Sequence, residues 1–354
     1  MKTHRINLLW SVLNEINIDS ILITDTASTY YLTGFTGGEA LLLLTRKKSY
    51  LIIDSRYTTQ AHMECSGINI TEAKCSIKEI IKFIKSIGVK RIGYEPNRLT
   101  VHQYKELEKA GSIELISTPA SLEKIRSIKE QKELKILKKT AAISSKSFLE
   151  VVEKIKAGIK EREVAFLLEF QIKRNGAEAI PFPFIVASGK RGALPHGLAS
   201  EKRINKGEFV TIDFGAGYKG YCSDETCTII IEKPTKKQKM VYQTVKDAHD
   251  KAISVIRPGI KAHQVDYKAR ELIKKAGLGK YFKHGTGHGV GLTIHEEPRI
   301  TPEQDVVIEE GMVFTIEPGV YIPGWGGVRI EDMVRVTKQG CELLSSVPKE
   351  LYIV

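Results

Sequence analysis

Two stretches of this chain constrain its fold more than any others, because each reads as a β-hairpin that sets acidic residues face to face. In EFVTIDFGAGYKGYCSDETCTIII (208–231), Gly217 and Gly220 bracket Tyr218-Lys219 as a two-residue loop between strand-like runs. That turn places Asp213 directly opposite Asp224. In MVFTIEPGVYIPGWGGVRIEDMVRV (312–336), folding about Gly324 places Glu317 opposite Glu331. Side chains opposite one another on one sheet face have Cβ atoms about 4.5–5.5 Å apart, and like charges there destabilise the sheet. One strand carboxylate is ordinarily a solvent-facing residue. Two facing pairs call for positive charge between them, and bound cations supply it.

The histidines narrow the chemistry. In HGTGHGVGLTIHEEPR (284–299), His284 and His288 have the spacing of a helical metal pair, but glycines at 285, 287, 289 and 291 disfavour a helix. The segment reads instead as a glycine-rich loop leading into a strand over 289–295. It lacks the G-x-G-x-x-G pattern and a Lys-Ser/Thr pair, so a nucleotide loop is the weaker reading. His196, His284, His288 and His295 all fall in Gly- or Pro-flanked segments near the hairpins, and such loops commonly carry function. Four carboxylates and an imidazole make a hard donor set suited to Mn²⁺, Fe²⁺, Co²⁺ or Zn²⁺. So much negative charge can hold two divalent ions about 3.5–4 Å apart, and hydrolysis is the natural chemistry.

The 354 residues, 42% hydrophobic and 27% charged, suffice for two domains. We place the join near residue 122, giving domains 1–122 and 123–354. The first alternates short aliphatic runs (ILIT, ALLLLT, YLIID, RIGY) with amphipathic stretches such as 76–88, as a small α/β domain does. The second is α+β. Ser127-Ile-Lys-Glu130 reads as a capping box opening a helix toward Gly158, and a second helix ends at Asn175-Gly176. A third starts at Thr235, and a fourth spans about 261–276. Strand-like runs at 208–215, 221–231, 289–295, 312–318 and 328–336 complete a largely antiparallel sheet.

The net charge of +12 is spread among glutamates at helical spacing, the pattern of solvated helix faces, and no nucleic-acid signature accompanies it. The longest aliphatic cluster, Ala40 to Leu44, is too short to cross a bilayer, and the N-terminal residues lack a secretory pattern. Five cysteines without a C-x-x-C pair suit reduced thiols. These readings point to a cytoplasmic protein with neither nucleic-acid nor membrane partner.

The ordered set Asp213, Asp224, His288, Glu317 and Glu331, with Leu-Pro-His196-Gly upstream and Val-Arg329-Ile-Glu331-Asp, resembles the pita-bread metallopeptidases, nearest to proline dipeptidase and aminopeptidase P. Tyr30-Tyr31-Leu-Thr-Gly-Phe and Asp54-Ser-Arg-Tyr57 resemble the creatinase-like N-terminal domain of those enzymes. The resemblance implies a pita-bread catalytic domain on a curved antiparallel sheet and two divalent ions per subunit, Mn²⁺ or Co²⁺ ahead of Zn²⁺ or Fe²⁺. It implies Asp213 and His288 as terminal ligands, Asp224 and Glu331 as bridges, and Glu317 as the remaining ligand. It further implies Glu317 in proton transfer, His295 at the oxyanion, His196 and His284 beside the substrate, Arg329 behind the carboxylates, and a homodimer. Arg299, following Glu296-Glu297-Pro298, resembles the arginine that holds a substrate carboxylate in archaeal-type prolidases. The expected substrate is therefore a small peptide with proline second, cleaved before that proline. An aminopeptidase acting on longer peptides and a non-catalytic peptide-binding pita-bread domain are the alternatives. Where related enzymes read Asp-x-Thr-Arg-Thr, this chain has Asp224-Glu225-Thr226-Cys227-Thr228, with Cys227 expected to point away from Asp224.

Overall fold

The computed structural model describes residues 2–119 and 121–354, which divide into compact units Met1–Ile125 and Arg126–Val354. The join expected near residue 122 falls within a short helix, Ser121–Ser127.

The first unit contains α1 (Lys2–Val12), β1 (Ser20–Ile23), α2 (Thr26–Thr33), β2 (Ala40–Thr45), β3 (Ser49–Ile53), α3 (Thr58–Glu64), β4 (Asn69–Glu72), α4 (Ile77–Ser86), β5 (Arg91–Tyr94), α5 (Val101–Lys109) and β6 (Glu114–Ser117). Its six strands order as β4-β3-β2-β1-β5-β6. Both neighbours of β2 are antiparallel to it, and the other pairs are parallel. Helix α4 shows how local sequence builds this unit: Ser76 accepts the Glu79 amide as a cap, and Ile77, Ile80 and Ile84 form one buried stripe. That stripe packs with Leu22, Leu43, Ile52 and Ile92 from the sheet.

After α6 (Ser121–Ser127), the second unit contains α7 (Gln131–Val152), α8 (Glu161–Arg174), β7 (Ile185–Ser188), β8 (Phe209–Phe214), β9 (Gly217–Tyr218), β10 (Tyr221–Cys222), β11 (Glu225–Ile230), α9 (Lys236–Ser254) and α10 (Ala262–Lys275). It closes with β12 (Gly287–Gly289), β13 (Glu296–Ile300), β14 (Val313–Ile316), β15 (Gly319–Ile322), β16 (Gly326–Arg329), β17 (Asp332–Val336) and β18 (Cys341–Leu343). The sheets order as β11-β8-β7 and β13-β12-β14-β17-β18, flanked by the hairpins β9-β10 and β15-β16. Every strand pairing in this unit is antiparallel, as the sequence suggests. Helices α7 and α8 cover the first sheet through Phe148, Val164 and Leu168, and α9 and α10 cover the second through Val245, Val265 and Ile273.

Three local expectations need correction. The capping box opening α7 is Glu130 with Glu133, while Ser127 ends the preceding helix. Residues 290–295 form a loop; the strands here are β12 and β13 on either side of it. In the first hairpin the turn is Lys219-Gly220, both with positive φ (49° and 76°), the pattern of a type I′ turn. The register is consequently displaced by two residues: Asp213 faces Thr226, not Asp224. Because strand side chains alternate with a period of two, that displacement leaves Asp224 on the same face as Asp213. The second hairpin keeps the expected register. Ile316 pairs Asp332 in one ladder and Gly319 pairs Arg329 in the next, so Glu317 lies across from Glu331.

Candidate metal centre

Strand alternation brings the ligand candidates to one surface. On β8, Val210, Ile212 and Phe214 enter the core beneath α7 and α8, leaving Thr211 and Asp213 on the opposite face. On β11 the core takes Cys227 and Ile229, and Thr226 and Thr228 face the other way. On β14 and β17 the core takes Phe314, Ile316, Val334 and Val336, so Thr315, Glu317 and Glu331 share the remaining face.

His288 enters this surface from β12. Its glycine neighbours allow close strand approach: a Cβ on Gly287 would lie 1.9 Å from Thr315 O, and one on Gly289 would lie 2.2 Å from Glu297 O. The His288 Nδ1 is 3.1 Å from the Gly289 carbonyl, which can only accept, so Nδ1 carries the proton and Nε2 presents a lone pair. That lone pair points at Asp224 Oδ2 (3.5 Å) and Glu317 Oε1 (3.4 Å). Burial first, then His295, depresses His288 to about 3, so near neutral pH the ring carries no second proton to share with the two carboxylates.

The carboxylates tell the same story. Ligand atoms of Asp224, His288 and Glu331 all lie within 4.8 Å of one another. Burial, reinforced by neighbouring carboxylates, pushes Asp224 and Glu331 well above the ordinary carboxylate range and lifts Glu317 to about 7. Asp213 Oδ1 is buried without a hydrogen-bond partner. A convergent set of buried acceptors, one of them orphaned, fits a divalent cation.

Arg329 is the organising cation on the protein side. It donates from Nη2 to Asp213 Oδ2 (2.7 Å), from Nη1 to Tyr321 Oη (2.7 Å) and Pro195 O (3.1 Å), and from Nε to Thr226 Oγ1 (3.1 Å). Thr226 in turn donates to Glu331 Oε2 at 2.6 Å. His284 lies at the other end of this chain, with Nδ1 against Gly285 O and Nε2 3.0 Å from Tyr321 Oη. Tyr321 and Thr226 were not anticipated from sequence. Tyr321 was detectable, since it lies on the face of Arg329 one step along the correctly registered hairpin.

The remaining candidates ring the carboxylates. The His295 ring is exposed and stands edge to face on His288, with centroids 4.3 Å apart. Its neighbour Glu296 is buried, accepts from Arg126 and the Thr293 amide (3.0 Å), and lies 3.5 Å from Lys129. His196 is exposed on the loop after β7, next to the Pro195 carbonyl that Arg329 holds. Arg299 is the β13 partner of His288, and its charge depresses His288 and His295 while favouring ionised Glu317. Its guanidinium joins no ion pair among the described residues. Cys227 is buried in the core behind Asp224, on the side expected.

Comparisons with known proteins show the family. Residues 135–338 match metallopeptidase family M24, and residues 5–128 match the creatinase/prolidase N-terminal domain. The Xaa-Pro dipeptidase of Pyrococcus horikoshii is 41% identical over 96% of this chain and 96% of its own length. A solved Xaa-Pro dipeptidase from Bacillus anthracis is 42% identical, superposes with a TM-score of 0.96 and covers 100% of both chains. An X-Pro aminopeptidase from Thermotoga maritima is 36% identical, with a TM-score of 0.92 over 99% of each chain.

Proposed function

Since the chain belongs to metallopeptidase family M24 and carries its creatinase/prolidase N-terminal domain, we propose that it is an Xaa-Pro dipeptidase, hydrolysing the bond before a C-terminal proline. Asp213, Asp224, His288, Glu317 and Glu331 would hold two divalent ions; Mn²⁺ or Co²⁺ is the preferred metal in this reading. Bound there, the ions supply Lewis acidity toward the scissile carbonyl and acidify the attacking water.

The chain's own residues do the rest. Glu317, 18% exposed at its side chain, takes a proton from water and returns it to the leaving imino nitrogen. An N–H of His295, at the exposed rim beside His288, donates to the carbonyl oxygen as charge develops. His196 borders the substrate from the opposite loop. His284 spends both ring nitrogens within the protein and orients Tyr321, which with Arg329 holds Asp213 in position. We also take the working form to be a cytoplasmic homodimer, with domains meeting near residue 122.

Arg299 is the observation that carries the dipeptide reading. A cation beside the catalytic carboxylates, without a protein anion, suits bidentate capture of a terminal carboxylate. The likeness to an X-Pro aminopeptidase sustains a second reading, action on longer peptides. Metal-loaded protein is incubated with Ala-Pro and Ala-Pro-Ala, in wild type and Arg299→Gln. Cleavage of Ala-Pro, with its KM raised in Arg299→Gln, is expected. Cleavage of the tripeptide alone overturns the dipeptidase reading, and inertness toward both in the metal-bound protein leaves a binding module.

A further inference from the structure

A second buried charge cluster lies behind the candidate metal surface, on residues that directly follow two of its ligands. Glu225 follows Asp224 and Asp332 follows Glu331, so strand alternation turns both to the back of the sheet. Both are buried, and both meet one ammonium. Lys349 Nζ lies 2.7 Å from Glu225 Oε1 and 3.2 Å from Asp332 Oδ1, and also contacts Cys227 Sγ at 3.7 Å. The lysine side chain is 7% exposed.

Lys349 belongs to a C-terminal segment that presents alternate residues to this cluster. Ser345 Oγ donates to Asp332 Oδ1 at 2.5 Å, and the Val347 amide donates to Glu225 Oε1 at 3.2 Å. The end of the segment continues along β11, where Ile230 bridges Ile353 in parallel. Further groups complete the cluster. Ser145 of α7 donates to Glu225 Oε2 at 2.6 Å, and His249 Nε2 of α9 lies 3.2 Å from Asp332 Oδ2. The two strands thus tied from behind are otherwise joined in front by the Glu331 amide to Thr226 O (3.1 Å) and by Thr226 Oγ1 to Glu331 Oε2.

We infer that Lys349 is a positioning residue for the metal centre: by clamping Glu225 of β11 to Asp332 of β17, it sets the separation of Asp224 and Glu331 on the opposite face. This rests on the metal-site reading above. Two carboxylates delivered by different strands can share ions only if those strands keep one spacing, and the clamp is the charged contact that spans them. Residues that act behind metal ligands in this way typically change metal affinity about 10–100-fold when removed.

The test uses the full chain, stripped with chelator and titrated with Mn²⁺ by calorimetry, alongside thermal unfolding of the metal-free protein. Wild type is expected to bind Mn²⁺; its failure to do so overturns the metal-site reading itself. Lys349→Met should weaken Mn²⁺ binding by about tenfold or more. In Glu225→Gln/Lys349→Met one of the two carboxylates left by the lysine is neutral and Asp332 keeps Ser345 and His249, so stability should recover in part while Mn²⁺ affinity stays weak, because the tie to Asp332 is still missing. Wild-type Mn²⁺ affinity in Lys349→Met, or its return in the double variant, overturns the clamp and leaves Lys349 as a stability element. Should Lys349→Met fail to fold, the double variant alone decides.

Discussion

Replacing Asp224 by Asn separates what the acidic cluster does for folding from what it does for metal. In the metal-free protein Asp224 is buried among Glu331, Asp213 and Glu317, with Arg329 the one nearby group favouring its ionised form. His288 gives no ionic relief, being depressed to about 3. The amide matches the carboxyl in shape and removes a contributor to mutual repulsion, so the metal-free variant should unfold at the same temperature as wild type or higher, a gain of up to about 2 kcal/mol. Metal reverses the order. An ion at a hundred times its dissociation constant stabilises the wild type by about 2.7 kcal/mol. For a domain of this size each kcal/mol moves Tm by about 2–4 °C, giving a rise of about 5–11 °C per ion. Asp224→Asn should lose most of that rise, since it removes one of the proposed ligands. Scanning calorimetry with chelator and with saturating Mn²⁺ reads both effects. A metal-free variant melting more than about 4 °C below wild type, or one retaining the full Mn²⁺ shift, would refute the reasoning.

Arg329→Met should destabilise the metal-free protein by about 3–5 kcal/mol, because it strips Asp213, Tyr321 and Thr226 of a buried donor; an unchanged urea midpoint contradicts this. Glu296→Gln takes the anion from two buried cations, Arg126 and Lys129, and should cost a similar amount; unfolding with wild-type stability counts against that pairing. In the first unit, burial pushes Glu95 up to about 7. The folded state therefore holds this proton to higher pH than the unfolded state, so the contribution to stability is full below about pH 4.5 and is lost as pH rises toward 7. The loss is about 3 kcal/mol in all, and Glu95→Gln should flatten that part of the stability profile between pH 5 and 8; an equal slope in both proteins would sink the assignment.

The face on which the metal candidates lie was legible in the sequence because strand periodicity is robust to small errors of register. The first hairpin shows the limit. Two glycines compete for its turn, and only one serves it. Gly220 supplies positive φ, whereas Gly217 is needed because a Cβ there would press on Ala179 at 3.0–3.1 Å. Nothing local distinguishes a turn glycine from a packing glycine. Glu317 and Glu331 face each other as expected because the pairing is centred on Gly324, whereas Gly326, also at positive φ (148°), already lies in β16. The loop at 290–295 is not the expected strand because, although its aliphatic residues satisfy strand propensity, the bulge between His288 and Gly289 that shifts the register is a tertiary feature. The cluster around Lys349 was hidden for a related reason: Glu225 stands more than a hundred residues before Asp332 and Lys349, and no local periodicity connects it to the C-terminal segment.

That separation also bears on the order of assembly during synthesis. All five ligand candidates precede residues 345–354, yet the back of β11 and β17 is tied together by that later segment. On the proposed reading, a chain in which that segment has not docked would hold the acids without the contact that sets their spacing. Docking of residues 345–354 is therefore, on that reading, the step that turns a loose cation trap into a measured one.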